Sequence, residues 1–479
     1  MDGNPALARR ALFLTACLTL LLGLASCGEG GTEEGGEASA TPGGGSATPA
    51  GSATPGGTVE ITLWHSEVAS NLDTFQALTR RYNNSQNEVK VKLAFQGVEV
   101  SEFMAKLLAS LGGDQSPTMV YVTEGNAQRL IDSGAMAPVQ EFIDREKYDL
   151  SDLDKKSVDY YTLDGKLWAM PFAVDIPLLY YNKATFREVG LDPEKPPKDL
   201  EELRQVAQKI VKRDSHGNLT RSGVALDIDS WHLQVTLQEH GDLYVNNDNG
   251  HDGRATEVLF NGPTGQAFFQ WWRDMVKEGL ALNVGRNPTR AEGLLALGSD
   301  RAAMAFGSSA ALRSIVDVLE GGLAQTEVDL GVANRPGMPG GSGLPGIYGR
   351  ALWILESRPQ AEQEAAWKFI KWLMEPEQQA EWYAGSGYLP VSTSAFELPP
   401  AKEMEANYPQ FQIAAQLYLA ASSAPGSLGP LLGPQLDVHD SVFRAVEEML
   451  VSDKDPVEAI NDAAEEANDV IEEYNRRIQ

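Results

Sequence analysis

Val59-Glu60-Ile61-Thr62-Leu63-Trp64 alternates apolar and polar side chains, the period of a strand with one face buried. Leu72, Phe75 and Leu78 follow at near-helical spacing, and Val89-Lys90-Val91-Lys92-Leu93 then alternates again. Strand, helix and strand in that order predict a parallel α/β layer, because a parallel pair needs a crossover long enough for a helix. The rhythm continues with a helix around Phe103–Leu111, a strand over Thr118–Val122 and a helix around Ala127–Ser133 that ends at Gly134. From Tyr160 to Trp168 the pattern becomes a hairpin, with Asp164-Gly165 as its turn.

Beyond Pro171 a second α/β set is expected. It comprises strand Leu178–Tyr181, helix Leu200–Val211, strand Gly223–Leu226, helices around Trp231–Gln238 and Gly265–Glu278, and strand Ala302–Phe306. Pro336, Pro339 and Pro345 with their interspersed glycines exclude regular structure, so the chain crosses there before strand Ile347–Leu355 and helix Gln360–Met374. The stretch Pro456–Ile478 is amphipathic and acidic on its polar face.

Upstream of this region, Arg9 and Arg10 precede an apolar run from Ala11 to Leu24, which is the pattern of an export signal and shorter than the roughly 20 residues a bilayer core requires. Leu24-Ala25-Ser26-Cys27 resembles a bacterial lipobox, which makes residues 1–26 a lipoprotein signal and Cys27 the lipidated first residue of the mature chain. Cys17 falls within the removed segment, so the mature chain has no intrachain disulfide and an apolar core must hold it. Residues 27–57 carry Ser-Ala-Thr-Pro three times between glycine runs and read as a flexible tether spanning about 30 Å. The formal charge of −28 becomes about −29 once Asp2, Arg9 and Arg10 are lost. Such a surface repels polyphosphates, and nucleic acid is not an expected partner.

Ala366-Trp367-Lys368-Phe369-Ile370-Lys371-Trp372-Leu373, Glu381-Trp382-Tyr383 and Gly387-Tyr388-Leu389-Pro390-Val391 resemble the bacterial family 1 extracellular solute-binding proteins. Tyr181-Asn182-Lys183, the segment from Gly190 to Lys198 and Gly298–Ala305 are similar to the same family, most nearly to its glycerol-3-phosphate-binding branch. The resemblance implies a periplasmic-binding-protein-like clamshell of type II, maltodextrin-binding-like: two α/β lobes joined by several hinge crossings, with a ligand in the cleft between them. The crossings it implies lie near Ala173-Val174-Asp175, near Asn334–Pro339 and near Tyr388-Leu389-Pro390. On that basis 58–173 with 336–388 form one lobe, and 174–335 with 389–479 the other.

Carried over position by position, the resemblance implies ligand contacts at Trp64, Glu99, Glu124, Asp175, Trp231, Ser308, Ser309, Gly349 and Tyr388, with His65 and Arg350 as neighbours able to add donors. The residue types suit a sugar, whose C–H faces stack on an aromatic such as Trp231 and whose hydroxyls bond carboxylates such as Glu124 and Asp175. Structural roles compete at several positions. Ser308-Ser309 could cap the helix expected over Ala310–Leu319, Arg350 could make a salt bridge at the cleft rim, and Trp271, Trp272, Trp367 and Trp372 have the spacing of core residues.

Two departures bear on the ligand. The glycerol-3-phosphate branch holds phosphate with an arginine in its C-terminal ligand loop, whereas Leu428-Gly429-Pro430-Leu431-Leu432-Gly433-Pro434 has no basic residue. Pro171-Phe172-Ala173-Val174-Asp175 also places a carboxylate where that branch has serines, and near Gly97 the branch's tyrosine is replaced by Glu99. A neutral mono- or oligosaccharide is therefore expected ahead of glycerol 3-phosphate or a glycerophosphodiester. The implied partners are the transmembrane subunits of an ABC permease, the implied location is extracytoplasmic, at the outer face of the cytoplasmic membrane or in the periplasm, and the chain is expected to be monomeric, without cofactor or metal.

The sequence has no Gly-x-Ser-x-Gly elbow, Gly-x-x-x-x-Gly-Lys-Ser/Thr loop or His-Glu-x-x-His motif. A glycosidase using Glu124 and Asp175 is the enzymatic alternative, and a sensory ectodomain the non-enzymatic one. Asp248-Asn249-Gly250-His251-Asp252-Gly253 faintly resembles a calcium loop but has Leu259 where the closing Glu belongs, so it reads as a turn.

Overall fold

The alternating stretches form two mixed sheets and a hairpin. This computed structural model describes residues 57–113, 115–286, 291–322, 328–423 and 428–478. The signal segment 1–26, Cys27 and the tether up to residue 56 lie outside the described residues. In the first sheet, Val59–His65 sits between Val89–Phe95 and Met119–Thr123, parallel to both. Tyr348–Leu355 then runs antiparallel to Met119–Thr123 and to Met170–Asp175, and Leu389–Pro390 closes the edge. In the second sheet, Leu219–Leu226 pairs in parallel with Ala281–Asn283 and Ala302–Ser308, and Pro177–Asn182 lies antiparallel between Ala302–Ser308 and Leu330–Asn334. The hairpin Thr162–Leu163/Lys166–Leu167 turns through Asp164 and Gly165, at φ 52° and 73°. Among the described residues, no helix is long and apolar enough to cross a membrane.

The chain crosses between the sheets at three places. Strand Met170–Asp175 of the first sheet and strand Pro177–Asn182 of the second are separated only by Ile176. That residue is fixed by Ser309, whose N–H donates to the Ile176 carbonyl (2.9 Å) and whose Oγ accepts from the Ile176 N–H (3.3 Å). The second crossing is the irregular segment between Asn334 and Tyr348.

The third crossing departs from expectation. Leu389, Val391, Phe396, Met404, Phe411 and Tyr418 all pack in the first core, and the change of core comes between Leu431 and Leu432. The implied crossing at Tyr388-Leu389-Pro390 is therefore an edge strand of the first sheet, and the helices Pro399–Asn407 and Pro409–Ser423 belong with it. The physical reason is burial: the apolar side chains of these helices cover one face of the second sheet from the first-core side. Leu178, Tyr180, Leu330 and Val332 join that core, while Leu179 and Tyr181 of the same strand face the other. Gln410 Nε2 reinforces the contact by donating to the Leu330 carbonyl (3.0 Å).

Candidate functional site

A cavity of about 930 Å³, its open mouth included, lies where the crossings meet. The first lobe supplies Tyr160 and Tyr161 at the end of helix Lys155–Tyr160, Ala173 and Val174 of the strand leading to the first crossing, and Glu124 just after strand Met119–Thr123. The second lobe supplies Gln238 and Gly241 from the helix Trp231–His240 and its C-cap. The crossings add Ser342, Leu344, Pro345 and Ile347 on one side and Leu428 and Gly429 on the other. Tyr348 and Gly349, which open strand Tyr348–Leu355, complete the wall.

Local chemistry explains how each wall is held. Strand Tyr348–Leu355 lies so close to Met170–Asp175 that a Cβ at Gly349 would come within 2.5 Å of the Ala173 carbonyl. The N–H of Gly349 donates to Glu124 Oε2 (3.2 Å). The crossing 335–347 is anchored to helix Trp231–His240 by Arg335, a fully buried side chain that donates to Glu239 Oε2 (2.6 Å) and Thr236 Oγ1 (3.0 Å). The Ser342 N–H and hydroxyl both donate to the Glu239 carbonyl (2.9 Å each).

The calcium-like stretch is a turn, as expected, with Asn247, Asp248 and Asn249 at positive φ. Its function is local. Asn249 Nδ2 donates to the Leu428 carbonyl (2.8 Å), and His251 Nε2 lies 2.9 Å from the Gly429 carbonyl, so this turn carries the last wall of the cavity.

Electrostatically the cavity is dominated by Glu124. Burial, and then the nearby charge of Asp175, push its carboxyl up to about 7, against the opposing effect of the Gly349 N–H. Burial holds the phenols of Tyr160, Tyr161 and Tyr348 far above the usual tyrosine range, so they stay neutral. Lys156 is the one cationic side chain among the described lining residues; its ammonium donates to the Ala421 carbonyl (2.9 Å), and burial lowers its pKa.

Of the residues implied by resemblance, the structure brings Glu124 and Gly349 to this cavity, with Asp175 paired across the strands with Tyr348. The others do not line it. Trp64 and His65 end strand Val59–His65 inside the first core. The His65 ring packs between Phe75 and Phe95, its Nδ1 accepts from the Glu67 N–H (3.2 Å), and burial, then the charge of Arg350, lower its pKa to about 4. Glu99 immediately precedes helix Val100–Ser110. Ser308 gives its carbonyl to Tyr180 Oη (2.7 Å), and Ser309 is engaged with Ile176; neither caps the following helix through its side chain.

Trp231 packs beside Tyr348, with ring centroids 6.1 Å apart, and so backs the wall instead of facing the cavity. Tyr388 stacks on Trp382 at 5.7 Å. Arg350 is engaged elsewhere: its guanidinium donates to Ser66 Oγ (2.8 Å) and pairs with Glu67 Oε1 (3.2 Å). At Trp64 and His65 the cause is burial, because the end of strand Val59–His65 lies inside the first core.

Sequence reasoning missed Lys156, Tyr160, Tyr161, Gln238 and Tyr348. Tyr160 and Tyr161 read as hairpin residues, and Tyr348 as an ordinary strand aromatic. The glycines at 346 and 349 were the available signal, because they mark where backbone and side chains close in on one another.

Residues 77–412 match the family model described as bacterial extracellular solute-binding protein. The chain is 28% identical over 425 residues to the sn-glycerol-3-phosphate-binding periplasmic protein UgpB of Pectobacterium atrosepticum, a match covering 87% of this chain and 92% of that one. Its fold is similar to that of UgpB from Mycobacterium tuberculosis in complex with glycerophosphocholine (TM-score 0.72, 20% identity, 88% of this chain and 100% of the other). It is also similar to that of the cyclic α-maltosyl-1,6-maltose binding protein of Arthrobacter globiformis (TM-score 0.69, 24% identity, 87% and 99%). With a match over most of its length and the sheets and crossings described above, the chain belongs to the bacterial extracellular solute-binding proteins.

Proposed function

We propose that the cavity captures a neutral, hydroxyl-rich solute, a mono- or oligosaccharide, and that the protein releases it chemically unchanged to the transmembrane subunits of an ABC importer. In this reading the lobes, divided at the crossings around Ile176, 335–347 and 428–434, close over the solute. Cys27 carries a lipid that keeps the protein at the outer face of the cytoplasmic membrane. Closure is favoured because the bound solute touches both lobes only in the closed state.

The observation that carries the solute class is the composition of the cavity wall. Neutral tyrosines, an amide and Glu124 face the cavity together with apolar groups, and no guanidinium is among its described lining residues. Arg350 is occupied by Ser66 and Glu67. A phosphate would lack the fork of donors that binds it best and would meet the field of Glu124 and Asp175. Sugar hydroxyls can both donate and accept, and suit the same wall.

A second reading, a glycerol phosphate or glycerophosphodiester, is favoured by Lys156 and by the 28% identical relative named for sn-glycerol 3-phosphate. Thermal denaturation of the full chain with glucose, maltose, maltotriose, glycerol 3-phosphate and glycerophosphocholine separates the two. A true ligand at 100 times its Kd adds about 2.7 kcal/mol. A shift with the phosphate compounds alone would replace the saccharide reading by the second one.

A further inference from the structure

Tyr161 and Tyr348 are only 4% and 5% exposed, and both line the cavity. Neither phenolic oxygen has a hydrogen-bond partner among the described residues, and the same holds for Oε1 of Gln238 on the same cavity. Buried polar groups in folded proteins are nearly always paired, and an unpaired one costs stability; the phenols of Tyr121, Tyr244 and Tyr418 are unpaired too, but they sit in the apolar cores and do not line the cavity. Tyr160 supplies the contrast. It lines the same cavity, yet its hydroxyl donates to the Pro430 carbonyl (2.8 Å) and serves the fold.

The groups left over come from different parts of the molecule. Tyr161 belongs to the first lobe, Gln238 to a helix of the second and Tyr348 to the end of a crossing. Gln238 and Tyr348 converge on Gly346, where an added Cβ would lie 2.4 Å from Gln238 Oε1 and 2.9 Å from Tyr348 Cε2. Trp231 and Val235 back the Tyr348 ring. All three side chains line the one cavity, with the oxygens themselves covered, that of Gln238 by Gly346.

We infer that Tyr161, Tyr348 and Gln238 are specificity-determining residues that select the solute by the pattern of hydroxyls it presents to both lobes, an inference that rests on the solute-binding reading above. A neutral phenol can donate one hydrogen bond and accept others, but the unpaired Oε1 of Gln238 can only accept. The matching groups on the solute must therefore include donors. Hydroxyls satisfy this, whereas fully ionised phosphate oxygens only accept. Selectivity follows because a solute lacking one hydroxyl leaves its buried partner as unpaired as before.

The test uses the full chain and its Tyr161→Phe and Tyr348→Phe variants, each of which removes one oxygen and keeps the ring. Isothermal titration with whichever of glucose, maltose or maltotriose shifts the wild type should show Kd raised roughly tenfold in each variant. Without sugar, the melting temperature of each variant should equal or exceed that of the wild type, since the lost hydroxyl had no partner in the protein. Against deoxy derivatives of that sugar, one derivative for each tyrosine should bind wild type and variant alike. Kd values that match the wild type for both variants, or affinity losses accompanied by a fall in the sugar-free melting temperature, would overturn the inference while leaving the binding reading intact. If none of the sugars shifts the wild type, the binding reading falls first and this inference with it.

Discussion

Glu124 is the residue at which burial, charge and cavity meet. Its native pKa of about 7 lies above the ordinary carboxylate value, because burial and Asp175 both disfavour the anion. The folded protein therefore holds a proton that the unfolded chain has already released, and stability falls as pH rises from about 4.5 to about 7, staying low above that range. Glu124→Gln removes this dependence. Urea unfolding without ligand should show the variant gaining roughly 2–3 kcal/mol on the wild type between pH 5 and pH 8. A constant difference across that range would place the proton elsewhere. His65 acts in the opposite direction. Its native pKa of about 4 lies below the unfolded value, so its contribution is lost as pH falls from about 6.5 towards 4 in both proteins, and it cancels in the comparison. Glu124 was legible in the sequence as a cleft residue, but its proton was not, since that depends on the strand pairing that brings Asp175 close.

Among the elements, the strands were the most legible. Alternation or continuous apolar runs place Val59–His65, Val89–Phe95, Pro177–Asn182 and Ala302–Ser308 within a residue or two of their expected bounds. The helix Trp231–His240 was harder to interpret, because nearly every side chain on it is buried, including Gln234, Thr236 and Glu239. Polar residues there look exposed in the sequence and are instead internal fittings. The crossing 335–347 was predicted to be irregular, and it is, but its attachment through Arg335 to Glu239 joins residues 96 apart and has no local signature. That attachment can be measured. Arg335→Met alone strands a buried carboxylate and should cost about 3–5 kcal/mol, whereas Arg335→Met combined with Glu239→Met should recover much of the loss. Equal urea midpoints for the single and double variants would show that the pair does not anchor the crossing.

Across the whole molecule, the lobes are clasped away from the cavity by Asp132, on helix Ala127–Asp132 of the first lobe. Arg254 of the second lobe donates to both of its oxygens (2.7 and 2.9 Å), and Tyr474, near the end of helix Pro456–Ile478, donates to Oδ2 (2.8 Å). In the closure equilibrium proposed above, a clasp outside the site changes affinity without touching the solute. Asp132→Ala should raise Kd several-fold and enlarge the solute-free radius of gyration in solution scattering, with saturating solute restoring the wild-type value. An unchanged radius together with unchanged Kd would make the clasp ornamental. None of its partners could be paired from the sequence, because each lies on a separate element with no shared motif.

The joint at Ile176 has one more implication. Its carbonyl and N–H are both engaged by Ser309 of the second lobe, so this residue is an axle bolted to one door-leaf. In the closure proposed above, the step next to this fixed point on the first-sheet side is the main chain of Asp175, the last residue of strand Met170–Asp175. The residue whose charge helps to keep Glu124 protonated thus stands directly beside the axle pin.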